Sequence, residues 1–357
     1  MAAQTPKSIG FTMPPEWHPH AATLLHWPDN PDTWPGERLE RVELVYLNII
    51  RILHKYEPVV LLVSNPDSAK KAEDLILAAQ LNTDKIHLLQ IPLNDVWARD
   101  CGPIFVCRNH NGKMEYAITD WEYNAWGEKY PPYDDDNRIP ELIADKFTIP
   151  HFKTGMILEG GSIDVNGAGV LMTTESVLLN PNRNPGMAKM EIEERLCDYL
   201  GVQKIIWLKN GLKGDDTDGH IDDLSRFVNQ STIVTSLPEN TDDINYPALN
   251  ENFQILKECT DLSGKPFDII TLPLPETKIE GTTVDGSEYV PASYANFYIA
   301  NGVVLLPFYD KSYDNKILEI FRPLFPDRDV IGIECSDLVW GQGSIHCITQ
   351  QLYGIDI

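Results

Sequence analysis

Four stretches of this chain gather reactive side chains beside glycines. They are Asn94-Asp-Val-Trp-Ala-Arg-Asp-Cys-Gly-Pro103, Leu158-Glu-Gly-Gly-Ser162, Gly214-Asp-Asp-Thr-Asp-Gly-His-Ile-Asp-Asp223 and Gly341-Gln-Gly-Ser-Ile-His-Cys-Ile-Thr-Gln350. Glycine lets a backbone approach a ligand closely. His220 and Asp222 are two apart, so an extended strand would turn an imidazole and a carboxylate toward one pocket. The plain alternative is a surface aspartate beside a histidine satisfied in the core. Cys347 lies in an apolar stretch near the C-terminus. It is either a buried structural thiol or a nucleophile whose thiolate must be activated. Cys101 and Cys107 are rivals, and the Asp100 charge beside Cys101 disfavours its thiolate. Glu159 and Asp100 are single carboxylates, which taken alone are ordinary solvated or ion-paired groups, and Arg99 is at hand to pair with one of them. His, Asp, Glu and Cys are also zinc ligands. A mixed site of His220, Asp222 and Cys347 therefore stands as an alternative, although H-E-x-x-H and C-x-x-C are both missing. There is no Walker A sequence and no dinucleotide fingerprint.

These side chains need elements to hold them. Helical spacing of apolar residues runs over 37–56 and 68–81, the second after the start signal Asn65-Pro66-Asp67. A third helix is predicted over 190–200, stopped by Gly201, and two more over 250–259 and 315–324. Four hairpins are predicted: 102–107 with 114–119, 162–165 with 169–174, 224–228 with 232–236, and 294–299 with 303–307. Three of their turns contain Asn-Gly, the strongest short hairpin signal. They recur at intervals of roughly 50 to 75 residues, which suggests internal repeats. A polar residue stands at or just before the start of most of them: Asp100, Glu159, Asp222 and Asn296. A late strand over 345–349 completes the series. Equivalent strand ends arranged around a ring would aim these groups at one centre. Residues 130–137, with three consecutive aspartates, are the expected exposed loop.

The bulk composition narrows the function. The chain has 357 residues, enough for a sizeable core in two ordinary domains or one large one. Its net charge of −24 argues against nucleic acid, which needs a basic surface, and suits a cationic ligand. Solubility alone is the plain reading of that charge. The six cysteines are scattered and form no disulfide framework. No apolar h-region opens the sequence, and no apolar run is long enough to span a bilayer. The expected setting is the cytoplasm, with no membrane partner.

Longer motifs point further. Met13-Pro-Pro-Glu-Trp17, Trp27-Pro28, Asn94-Asp-x-Trp-x-Arg-Asp-x-Gly-Pro103 and Asn124-Ala-Trp-Gly127 come first. Ile157-Leu-Glu-Gly-Gly-Ser-Ile163, Leu179-Asn-x-Asn-Arg-Asn-Pro185, Gly219-His-Ile-Asp222, Tyr294-x-Asn-Phe-Tyr-Ile-Ala-Asn-Gly302 and Ile345-His-Cys-Ile-Thr-Gln-Gln351 follow in order. On these motifs, which cover nearly the whole chain, the sequence resembles the agmatine deiminases of the guanidino-group modifying enzyme superfamily. The resemblance implies a five-bladed α/β propeller of ββαβ units, with residues 1–357 as a single catalytic domain. It implies Cys347 as nucleophile, His220 as acid/base, and Asp100, Glu159 and Asp222 as carboxylates around a guanidinium. Trp97 would line the pocket. No cofactor or metal is implied, the partner is a small cationic guanidine such as agmatine, and a homodimer is possible. Gly341-Gln342-Gly343 and Ser344 depart from the glycine-rich run and the asparagine often found there, and the stretch between Pro275 and Pro291 looks shorter than in plant relatives. Rival readings are the same chemistry on free or peptidyl arginine, amidino transfer to an amine, a non-catalytic polyamine binder, and a zinc hydrolase.

Overall fold

The computed structural model describes residues 4–276, 283 and 286–357. Among the described residues, sixteen strands form five small sheets. The repeating unit is seen in β4 (Ile104–His110), β5 (Lys113–Glu122) and β6 (His151–Ile157): an antiparallel hairpin, then a helical crossover to a parallel third strand. Its turn carries Asn111 and Gly112 at φ 54° and 82°, the left-handed pair that matches a hairpin's twist. The unit repeats in β7 (Asp164–Val165), β8 (Val170–Thr174) and β9 (Lys204–Leu208), and in β10 (Ser225–Phe227), β11 (Thr232–Ser236) and β12 (Asp268–Leu272). It appears again in β13 (Tyr298–Ala300), β14 (Val303–Phe308) and β15 (Asp329–Glu334).

The remaining sheet joins the two ends of the chain. β1 (Ala22–His26) is parallel to β2 (Val59–Val63), which is parallel to β3 (Ile86–Gln90), while β16 (Thr349–Leu352) lies antiparallel on β1. This is the five-bladed α/β propeller the sequence led one to expect. β2, β8 and β11 are buried along their whole length, and β2 accordingly reads as a continuous apolar run. Apolar clusters fill the spaces between neighbouring blades. One binds Ile104, Val106 and Met156 to Val165 and Leu171, and another binds Met172 and Ile206 to Leu224 and Phe227. Among the described residues no helix is long and apolar enough to cross a membrane.

All four hairpins are present, although the first strand of the fourth, expected over 294–299, starts only at Tyr298, and the helices Arg38–Leu53, Pro66–Ala78 and Lys189–Leu200 sit close to their predicted spans. Asn65 caps the second by accepting from the Asp67 and Ser68 amides. Two helices begin earlier than expected, at Tyr246 and Lys311. Pro247 is compatible with a first helical turn, and Asp310 caps the Ser312 amide. The helix Ile139–Phe147 was not anticipated.

Two strand expectations fail. Residues 345–348 form a turn and β16 starts only at Thr349. Likewise Ile221–Asp223 is a 3₁₀ turn, so His220 and Asp222 do not share the face of an extended strand. In both places the apolar pair is three apart, Ile345 with Ile348 and Ile221 with Leu224, all buried. That spacing anchors a helical turn, not a strand. Residues 130–137 do form a loop, but Asp136 within it is buried and accepts from the Asn94 and Asp95 amides. Most of the stretch between Pro275 and Pro291 whose length was compared lies outside the described residues.

Candidate active site

Each blade's first strand is preceded by a short turn, and those turns carry the reactive groups. Asp100 is in the helical turn Ala98–Cys101 before β4, Glu159 begins the 3₁₀ turn Gly160–Ser162 before β7, and Asp222 is in Ile221–Asp223 before β10. Cys347 stands in the turn before β16. The sulfur of Cys347 lies 3.9 Å from Asp222 Oδ2, and His220 Nδ1 is 3.6 Å from Asp100 Oδ1 and 4.0 Å from Asp222 Oδ1. Five of the six residues singled out in the sequence are thus linked by contact or charge, since Glu159 acts electrostatically on both Asp100 and His220. Trp97, the sixth, shares with Asp100 and Cys347 the wall of a cavity of about 30 Å³. His220, Asp222 and Glu159 are fully buried and do not face that cavity directly.

Gly161 lies at the meeting point. Its amide donates to Asp100 Oδ1 at 3.0 Å. A methyl group there would stand 2.6 Å from His220 Nδ1, 2.7 Å from Asp100 Oδ1 and 2.9 Å from Asp222 Oδ2. Only a glycine leaves room for the three side chains to converge.

The surroundings set the ionisation of each group. Burial pushes the Cys347 thiol well above its ordinary value, and the charges of Asp222, Asp223 and Asp100 push the same way. Burial alone would lower His220, but Asp100, Asp222, Glu159 and Asp215 outweigh it and raise the imidazole. Asp100 is lifted to about 6, chiefly by burial against the pull of His220. Burial acts on Asp222 too, yet its hydrogen bond to His346 and the neighbouring cations hold it below the usual carboxylate range. Both shifts favour the protonated forms, a thiol at Cys347 and an imidazolium at His220.

Several supports had no role assigned from the sequence, although they lie inside the long motifs. Arg183 donates to Glu159 Oε1, to Asp218 Oδ2 at 2.8 Å and to the Thr217 carbonyl at 2.9 Å. It does for Glu159 what Arg99 was expected to do. Arg99 turns instead to Gln350 and Gln351, at 2.7 and 2.9 Å, because the β16 side chains face it. Trp126 donates its indole N–H to Asp100 Oδ2 at 3.1 Å. It is aimed there by a left-handed turn in which Ala125, Trp126, Gly127 and Glu128 all have positive φ. Such strain persists only where the surroundings impose it; Asn124 caps this turn at the Gly127 amide.

His346 bridges Asp222 Oδ2 and Glu16 Oε2, each at 2.7 Å, and Glu16 also accepts from Arg226 at 2.7 Å. A carboxylate on each ring nitrogen calls for a hydrogen on both. Burial, Arg226 and Arg99 work against that charge. The rival thiols are elsewhere: Cys101 is buried with its S–H on the Trp97 carbonyl at 3.2 Å, and Cys107 pairs with Tyr116 across the β4–β5 hairpin. Among the described residues no three His, Cys, Asp or Glu side chains stand close enough to hold a metal ion.

Residues 12–352 match the Porphyromonas-type peptidyl-arginine deiminase family. The chain belongs to this family. It is 37% identical over 372 positions to the agmatine deiminase of Medicago truncatula, covering 97% of each chain. It is 36% identical over 369 positions to that of Pseudomonas syringae pv. tomato, covering 97% of this chain and 96% of the other. Among solved structures, the agmatine deiminase of Enterococcus faecalis superposes with a TM-score of 0.90 at 33% identity, over 99% of this chain and 98% of that one. This peptidyl-arginine-deiminase-like protein is accordingly an enzyme, a hydrolase of the agmatine deiminase group.

Proposed function

We propose that the whole chain acts as one catalytic domain that hydrolyses agmatine to N-carbamoylputrescine and ammonia, a step from arginine toward putrescine in polyamine biosynthesis. The observation that carries this reading is a set of buried polar atoms without hydrogen bonds. Glu159 Oε2, Asp222 Oδ1 and both ring nitrogens of His220 have no hydrogen bond in the structure. Native interiors rarely leave such atoms unpaired. A guanidinium is planar, cationic and rich in N–H donors, and carboxylates bind it through charge-assisted, often bidentate hydrogen bonds. Asp100, Glu159 and Asp222 would hold it in one orientation.

The cavity wall supports the choice among guanidines. It carries Asp95, Asp100 and Asp216 with the rings of Trp97, Trp126 and Tyr130, and neither lysine nor arginine among its described residues. An α-carboxylate, as on free arginine, would meet no cation there. A tetramethylene chain ending in ammonium finds aromatic faces and acids.

In the mechanism that follows, the charge of the bound guanidinium favours ionisation of the Cys347 thiol, whose proton is released to solvent, and the thiolate adds to the guanidinium carbon. The imidazolium of His220 gives its proton to the departing nitrogen, and the tetrahedral adduct collapses to release ammonia. A covalent amidino thioether remains on Cys347. His220, now neutral, takes a proton from water as the hydroxide adds to the same carbon, and the carbon–sulfur bond breaks while the hydroxyl proton of the adduct passes to solvent, freeing the neutral ureido product and the thiolate. Water is consumed once, and the histidine and thiolate are restored. Fixing thiolate and carbon together can supply ~7–11 kcal/mol of the barrier reduction.

The test is product analysis by mass spectrometry after incubation with agmatine, free arginine and a peptidyl arginine. Equal amounts of ammonia and N-carbamoylputrescine are expected from agmatine alone, and none from Cys347→Ser. Turnover of either arginine substrate at a comparable rate would overturn the substrate assignment. An active serine variant would overturn the nucleophile.

A further inference from the structure

A second cavity lies beside the catalytic cluster. Glu16, Arg99, Asp164 and His346 are in its wall, and it shares no lining residue with the cavity of Trp97 and Cys347. His346 thus lines the far side of the cluster, although it is the residue before Cys347. Its neighbours fix the hydrogens of its ring. Glu16 Oε1 accepts the Ile299 amide at 2.6 Å, and Oε2 accepts Arg226 at 2.7 Å with Arg99 at 3.6 Å. The two arginines hold Glu16 as a carboxylate, so Nε2 of His346, 2.7 Å from Oε2, must donate to it. That leaves one proton between Nδ1 and Asp222 Oδ2, which are also 2.7 Å apart.

The charged groups on both sides decide where that proton sits. Burial, Arg226 and Arg99 oppose a second hydrogen on the ring. Asp164, 3.5 Å from Arg226, is the other charged group in the second cavity's wall. On the substrate side Asp222 has His220 as a cationic neighbour and Asp100, Asp215 and Asp223 as anionic ones, with the Cys347 sulfur 3.9 Å away. An imidazolium between two carboxylates makes a charge-assisted hydrogen bond at each nitrogen, and those two bonds outweigh the opposing arginines. We propose that His346 is a positioning residue of this enzyme: it keeps the proton that Asp222 would otherwise take and pins Oδ2, so that Asp222 offers Oδ1 to the guanidinium as a charged acceptor. The inference rests on the reading of Asp222 as a guanidinium carboxylate. Oδ1 is buried and makes no hydrogen bond in the structure, as that role requires. A protonated carboxyl would set its own O–H against the guanidinium N–H groups. Glu16, from the Met13–Trp17 motif, is the counter-charge that lets the ring stay protonated.

Two measurements test this. Nitrogen-15 NMR of the substrate-free parent, labelled at histidine, shows which ring nitrogens carry hydrogen. Carbon-13 histidine with nitrogen-15 cysteine identifies His346, the only histidine followed by a cysteine. Hydrogens on both of its nitrogens are expected at about pH 7.5, and a ring with one hydrogen overturns the proposal. The second measurement is the pH profile of kcat/KM on agmatine for the parent and His346→Gln, whose amide can donate but cannot hold the proton. The parent's acid limb is expected near pH 6, where Asp100 ionises. In the variant Asp222 loses its cationic partner and keeps its anionic neighbours, so it ionises later and the limb moves up by about one pH unit or more. At about pH 7.5 KM is expected to rise about tenfold with kcat within about threefold, and by about pH 9 kcat/KM should return to within about threefold of the parent. A merely structural defect would not be cured by alkali. A limb that moves by less than about 0.3 unit, or a loss that is equal at both pH values, overturns the proposal. If glutamine does not fold, the NMR measurement alone decides. It needs no guanidine, so a parent enzyme that leaves agmatine untouched would overturn the substrate reading and leave this one to the protons on the ring.

Discussion

Gly161 shows how little of a reactive site lies in the reactive groups themselves. Its φ is not in the left-handed region, so alanine there would suffer from crowding alone. The methyl would meet His220, Asp100 and Asp222 together, and the two carboxylates are held by Trp126 and His346. Displacing such groups by about an ångström can cost about 10²-fold in rate. Gly161→Ala is therefore expected to lower kcat/KM on agmatine at least about 10²-fold while the melting temperature moves by only a few degrees, as steady-state kinetics and a thermal melt would show. Activity within about threefold of the parent would mean that the cluster can give way. At this scale the sequence exposed Cys347, His220 and the carboxylates because their chemistry resides in their own side chains. It did not expose Gly161, His346 or Glu16 as parts of the site, because each matters only through what it touches. Glu16 and His346 are 330 positions apart, and no local pattern joins them.

At the scale of elements, hairpins and long helices were legible because their periodicities repeat over many residues. The turns ahead of β10 and β16 were misread as strand because three or four residues with apolar ends fit either period. The loop over 179–185 is a similar case: a motif without visible secondary structure that proves to carry the Arg183 brace. The side chains of Arg183 and Glu159 are wholly inaccessible to solvent. Removing one partner of such a pair strands the other charge, at a cost of about 3–5 kcal/mol, whereas removing both costs far less. Urea unfolding should thus show Arg183→Met losing about 3–5 kcal/mol and the Arg183→Met/Glu159→Gln double variant recovering a good part of it. Arg183→Lys should rescue poorly, since an ammonium cannot reach Glu159, Asp218 and the Thr217 carbonyl in one plane. A loss under about 1 kcal/mol for the methionine variant would show that Arg183 does not brace Glu159.

For the molecule as a whole, buried carboxylates and a net charge of −24 make stability depend on pH in an unusual direction. Burial lifts Asp95, Asp100 and Asp120 to about 6 and Asp164 to about 7. Between the ordinary value near 3.8 and those values, the folded chain keeps protons that the unfolded chain has lost. Stability must then fall as pH rises through that window. Glu16 and Asp222 behave oppositely. Against the penalty of burial, their cationic partners hold them below the ordinary range, so the stability they confer is full above about pH 4.5 and is lost as acid protonates them. Repulsion among surface acids adds to the loss at higher pH and is relieved by salt. The melting temperature is therefore expected to peak near pH 5, to drop by pH 7.5, and to collapse below about pH 4, with Asp164→Asn flattening the descent above the peak. A curve that is level or rising from pH 5 to 7.5 would refute this balance. The same charges should make a bound cation a stabiliser. Agmatine added to the Cys347→Ser variant should raise the melting temperature more at pH 7.5, where Asp100 is ionised, than at pH 5, where it is mostly protonated.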